Sequence, residues 1–181
     1  MKNLPNLLLV SGNGRDSGKT SLVCNIIQRC SDHKITAIKI SPHFHAPGPG
    51  LEMIVQNQHY TIAEEKSSLG NKDSSRMLKA GAYKVYYLQV KDDHLKEAFT
   101  KLLQIVPPST PLICESGHLR SIIEPGVFIL INREGRNTFK PNYINQSFLA
   151  NLILTFNGST FNKTAQLTPL LSHWFRPMEQ G

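Results

Sequence analysis

"SGNGRDSGKTS", residues 11–21, follows directly on the apolar run Leu7, Leu8, Leu9 and Val10, and leads into a segment with Leu22, Val23, Ile26 and Ile27 at helical spacing. Strand, glycine-rich turn and helix in that order are the setting in which a phosphate-binding loop works. Backbone N–H groups turn inward there, and the start of the helix adds partial positive charge. The usual pattern, G-x-x-x-x-G-K-[ST], has its first glycine five positions before the second. Counting back from Gly18 lands instead on Asn13, with Gly12 and Gly14 on either side. A glycine turn whose lysine merely faces solvent is the competing reading, and the strand before it and the helix after it argue against that. The spacing is accommodated if Gly12 opens a loop one residue longer than usual. Gly12, Asn13, Gly14, Arg15, Asp16, Ser17, Gly18, Lys19, Thr20 and Ser21 then form the expected nucleotide-binding stretch. Within it Lys19 would reach the β- and γ-phosphates, and the Thr20 hydroxyl would bind Mg2+. Asp16 would bind Mg2+ through water or orient Arg15.

Working outward, "NLLLVSG" (6–12) reads as a buried strand and "GKTSLVCNIIQRC" (18–30) as a helix. "KITAIKIS" (34–41) is a second strand, and "PHFHAPGPG" (42–50) is a loop, since its prolines and glycines cannot continue regular structure. The pattern weakens from Leu51 to Gly70, where "HYTIAEEK" (59–66) suits a strand of a small excursion spanning 43–70. A helix over 71–82, a strand over 83–90 and a helix over 92–106 restore the alternation, the last with Leu95, Phe99, Leu102 and Leu103 on one face. Strands at 111–117 and 126–132, a polar connection, a strand at 151–158 and a short helix at 164–175 complete the chain. Such alternation predicts one three-layer α/β domain over residues 1–181. Its mostly parallel sheet would be covered on both faces, with ligands at the carboxyl ends of the strands.

Composition narrows the partners. Twenty lysines and arginines against 13 acids give a formal charge of +7, which suits an anionic ligand such as a nucleoside triphosphate. The cations are scattered, with no basic run and no interleaved aromatics, which argues against nucleic acid. A four-residue apolar run near the N-terminus is too short for a signal peptide, and no stretch approaches the ~18 residues of a membrane span. A cytoplasmic protein is expected. Cys24, Cys30 and Cys114 form no C-x-x-C pair and read as thiols in a reducing compartment.

A magnesium site needs a carboxylate at the end of another buried strand, and "PLICESGH" offers Glu115. A solvent-facing glutamate is the plainer alternative. Lys39, inside the apolar strand "AIKIS", must lie at the strand's exposed end or pair with negative charge, which bound phosphate would supply. His118 could position water or substrate, or be an ordinary strand-end polar residue. His43 and His45, with His59, could hold a metal, although an exposed proline-rich loop explains them more simply. No N-K-x-D element reads guanine, and Asn157 at the end of a late strand is a candidate for contacting the base.

Three blocks in order, "SGNGRDSGKTSL", "AIKISPHFH" and "KDSSRMLKAGA", resemble the molybdopterin-guanine dinucleotide biosynthesis protein B (MobB) family. That family has a G-x-x-x-S-G-K-T-T loop, a strand ending in Ile-Lys-His-x-His-His and an Asp-x-x-Arg-x-x-x-Ala-Gly-Ala helix. "ICESG" looks like its Val-Glu-Gly strand, and the likeness covers about the first two-thirds of the chain. The loop with Asp16 also resembles that of dethiobiotin synthetases. These resemblances imply a P-loop fold, guanine-nucleotide binding, slow hydrolysis, dimerisation, and an accessory role in molybdenum-cofactor maturation with a protein partner. They place Lys39 beside the phosphates and assign Asp73 and Arg76 to the nucleotide-facing region. A small-molecule kinase or ATP-dependent ligase, and a nucleotide-binding adaptor without turnover, are the alternatives.

Overall fold

The computed structural model describes residues 1–135 and 143–179. Its elements are β1 (Lys2–Gly12), α1 (Lys19–Arg29), β2 (Thr36–Ser41), β3 (Leu51–Gln56), β4 (Tyr60–Glu65), α2 (Asp73–Lys79), β5 (Lys84–Val90), α3 (Leu95–Ile105), β6 (Leu112–Glu115), β7 (Ile123–Arg133), α4 (Tyr143–Leu149), β8 (Leu152–Phe156) and α5 (Leu167–Glu179). One eight-stranded sheet has the order β3-β4-β5-β2-β6-β1-β7-β8. From β5 to β8 every pairing is parallel.

Alternation along β1 sends its side chains into two cores. Leu8 and Val10 face the layer of α1, α2 and α5, with Ile26, Met77 and Trp174, while Leu7 and Leu9 face the layer containing α3, with Phe99 and Leu102. Both faces are buried, so the strand reads as a continuous apolar run rather than an alternating one. Trp174 is fully buried and its indole N–H donates to the Asn6 carbonyl at 2.9 Å, fastening α5 to β1.

Three features depart from the expected outline. Segment 51–65 is a hairpin, β3 and β4, that pairs antiparallel with β5 and extends the main sheet rather than leaving it. β3 was hidden because it is an edge strand of half-buried residues. β1 and β7 each begin earlier than the apolar runs suggest, pairing from Lys2 with Ile123 through a register irregularity between Leu4 and Leu8. The polar connection before β8 falls partly outside the described residues, and Tyr143–Leu149 within it is helical.

Parallel register sets the functional geometry. Val10 on β1 lies opposite Glu115 on β6, and Glu115 lies opposite Lys39 on β2. The first acid after the apolar run of β6 is therefore delivered between the glycine loop and the lysine strand. All three cysteines are free thiols.

Candidate functional site

The glycine loop joins β1 to α1, and its extra residue is taken up at the strand end. Asn13 N–H still donates to the Ile131 carbonyl of β7 at 3.1 Å, so the sheet ladder runs one residue past Gly12. Gly12 is required by close approach: a Cβ there would lie 2.5 Å from Ser17 Oγ and 3.2 Å from the Ile131 carbonyl oxygen. Gly18 immediately precedes the helix at φ 84°, a left-handed conformation, and a Cβ would meet the Phe156 ring at 2.7 Å. The Lys19 ammonium is held over the loop by the Gly14 carbonyl at 2.6 Å and Ser17 Oγ at 3.1 Å.

Asn13 fastens the loop. Its amide donates to Asn132 Oδ1 at 2.7 Å, and its oxygen accepts from the Arg133 backbone N–H at 3.1 Å. The side chain is buried, and these bonds anchor the loop to β7. Asn13→Ala should cost roughly 1–3 kcal/mol, because buried polar partners lose their mates. Urea denaturation of the variant measures it, and an unchanged midpoint would show the anchor to be dispensable.

Beneath the loop, four side chains from four elements meet. Thr20 Oγ1 donates to Glu115 Oε2 at 2.7 Å, and Lys39 Nζ contacts Glu115 Oε1 at 2.5 Å and Asp73 Oδ2 at 2.6 Å. Glu115 has a side-chain exposure of 3%, which removes the solvent-facing alternative for it. Asp73 opens α2 and also lies 3.7 Å from Arg76, whose guanidinium reaches Ser21 Oγ at 3.3 Å. Lys39 thus pairs with two protein carboxylates beside the glycine loop.

Burial by itself raises the Asp73 carboxyl, but the charge and hydrogen bond of Lys39, helped by Thr20 and Arg76, hold it below its ordinary 3.8. Burial likewise opposes the Lys39 ammonium, and Glu115 and Asp73 together outweigh it, so Lys39 titrates above its ordinary 10.5. The Asp73 contribution to stability is complete above pH 3.8 and is lost as pH falls through the lower folded value. The Lys39 contribution is complete below pH 10.5 and is lost as pH rises through the higher folded value. Unfolding free energies of wild type and Asp73→Asn, measured at stepped pH, should therefore differ by a constant in neutral solution and converge in acid. A difference that persists at the lowest pH would contradict the pairing.

A cleft of about 890 Å³ opens over this group. The loop residues Gly14 to Ser21 line it, with Lys39, Asp73, Arg76 and Glu115. Asp16 contributes from an exposed turn at φ 52°, beside the exposed Arg15. His43 and His45 also line the cleft, their rings 6.4 Å apart. The loop carrying them is pinned, because the buried Gln89 amide accepts from His45 N–H at 2.6 Å and donates to the His45 carbonyl at 3.2 Å. His59 is elsewhere, stacked on His94 at 4.0 Å.

Two candidates are not part of the cleft wall. His118 Nδ1 lies 2.6 Å from Asp92 Oδ2 on the surface, which directs the ring away from the water-positioning role expected of it. Asn157 Oδ1 accepts from the Ser159 and Thr160 N–H groups, and its amide nitrogen donates to Thr160 Oγ1. Its side chain is engaged in its own turn, which is the ordinary use of a loop asparagine. Sequence reasoning passed over Tyr87, Arg133 and Phe156, which do line the cleft. Arg133 had a legible signal: it is the first charge after the apolar run of β7.

The donor set suits a hard cation. Among the described residues no group of three His, Cys, Asp or Glu side chains is arranged to hold a metal. Thr20, Glu115 and Asp73 offer oxygens alone, and Lys39 already marks the spot as one that demands positive charge.

No protein-family profile and no curated protein match the chain. Among solved structures it is similar to LpxK from Aquifex aeolicus, determined in complex with ATP, with a TM-score of 0.52 and 14% identity. The match covers 87% of this chain and 50% of LpxK, so the chain spans about half the length of that protein. No helix among the described residues is long and apolar enough to cross a membrane. The mostly parallel sheet clothed by helices, the glycine loop between β1 and α1, and the likeness to LpxK together establish a three-layer α/β fold of the P-loop nucleoside triphosphate hydrolase type.

Proposed function

We propose that the chain binds a magnesium–nucleoside triphosphate at the 12–21 loop and hydrolyses it slowly. The observation that carries this reading is the convergence of Thr20, Glu115, Lys39 and Asp73 directly behind the loop, from α1, β6, β2 and α2. Mg2+ held by Thr20 and the carboxylates would neutralise charge on the phosphates. The loop amides and Lys19 stabilise the charge that develops on the transferred phosphoryl group. Asp16, in the exposed turn of the loop, would orient the attacking water or Arg15. LpxK, of like fold, was solved with ATP, which supports a triphosphate as the ligand.

The resemblance to MobB supports a cytoplasmic accessory protein for molybdenum-cofactor maturation, dimeric and acting on a protein partner. A second reading, a small-molecule kinase or ligase of dethiobiotin-synthetase type, is favoured by the pinned His43–His45 wall, which gives the cleft room for an acceptor. Phosphate release from GTP and ATP with Mg2+ and no acceptor decides between them. Slow release that is lost in Thr20→Val supports hydrolysis. Absence of release would leave either an acceptor-dependent enzyme or a non-hydrolysing adaptor.

A further inference from the structure

Arg133, at the carboxyl end of β7, has no task in the phosphate site just described. Its guanidinium carbon lies 5.1 Å from the centre of the Phe156 ring, and Phe161 stacks on the same ring at 4.6 Å. Nη1 is buried, and among the described residues it has no hydrogen-bond partner. Only glycine at 158 leaves room for the guanidinium, since a Cβ there would lie 2.9 Å from both Nη1 and Nη2. Among the described residues no carboxylate pairs with this cation. Buried donors without acceptors are rare and costly, more so when charged, and a structural prop would not require one.

Position supplies the explanation. Arg133, Phe156 and Gly158 line the cleft on the β7–β8 side of the loop, while Lys39 and Asp73 line it on the β2 side. Phe156 touches the loop itself at Gly18. A nucleotide whose phosphates lie in the loop therefore has a flat cationic and aromatic wall on one side. Guanidinium planes stack on heterocycles, and guanidinium groups carry donors only. N7 is an acceptor that adenine and guanine share and pyrimidines lack.

We propose that Arg133 and Phe156 form the subsite for the base of the bound nucleotide, with Arg133 donating to a purine acceptor. This rests on the phosphate-loop reading, so its test must separate the two. Calorimetric titrations of wild type, Arg133→Met and Arg133→Lys with Mg2+ complexes of ATP, GTP and CTP, and of inorganic tripolyphosphate, do so. Wild type should prefer a purine triphosphate to CTP. Arg133→Met should weaken purine binding by roughly 10- to 100-fold, as loss of one charge-assisted hydrogen bond implies, with Arg133→Lys intermediate. CTP, which keeps only the stacking contact, should lose less than the purines, and binding of tripolyphosphate should be essentially unchanged, which also reports an intact loop. An equal loss for tripolyphosphate, or no purine-selective loss, would overturn the base subsite while leaving the phosphate loop standing. If wild type binds neither tripolyphosphate nor nucleotide, the loop reading fails and the subsite with it.

Discussion

Lys39→Ala is expected to lower the unfolding free energy by about 3–5 kcal/mol, the cost of leaving one member of a buried ion pair alone. Lys39 and Glu115 are 16% and 3% exposed, so solvent does little to screen the orphaned carboxylate. Asp73, at 39%, is screened and adds less. The loss should be specific to the broken pair. Lys39→Met combined with Glu115→Gln leaves neutral groups of similar shape and should recover most of it, because an ion pair replaced whole is far less harmful than one broken. Chemical denaturation of Lys39→Met, Glu115→Gln and the double variant gives the coupling energy directly. A double variant as unstable as Lys39→Ala would mean that Lys39 acts through packing rather than charge.

Gly18→Val should both destabilise the protein and disable the loop. Holding a side chain at φ 84° costs roughly 1–2 kcal/mol, more for a β-branched residue. Driving it against the Phe156 ring adds about 1–3 kcal/mol of overpacking. The backbone at the helix start must then shift, and the inward-facing amides are displaced with it. Thermal melting and nucleotide titration should show a lower Tm and loss of binding together. A variant that melts lower yet binds normally would place the phosphates elsewhere.

Much of this architecture was legible because it follows from local rules. Apolar runs marked the parallel core strands, longest at Leu7–Val10 and Val127–Ile131, and the glycine loop fixed the first β–α unit. Lys39 and Glu115 stood out because charges inside or ending buried strands need partners. What sequence did not convey was the direction of those partnerships. Lys39 seemed to await a phosphate, yet parallel register sets it opposite Glu115. Asn13 looked like a defective motif position, and its importance lies in a contact with Asn132, more than a hundred residues away. Strand-end polar residues were the least readable. His118 and Asn157 are satisfied by Asp92 and by a local turn, whereas Arg133, flagged by nothing but its place after an apolar run, faces the cleft. β3 escaped notice because an edge strand with no fully buried residue carries only the short run Met53–Val55 between polar ends.

The loop makes one demand that can be tested in a single comparison, calorimetric titration of Mg2+–GTP and Mg2+–ATP into wild type and Lys19→Ala. Lys19 already lies over the loop on Gly14 and Ser17, so its removal perturbs the ligand contact more than the fold. Saturable binding of a triphosphate by wild type, weakened about 100-fold or abolished in Lys19→Ala, is the predicted result. Failure of wild type to bind either nucleotide, or equal binding by the variant, would contradict it.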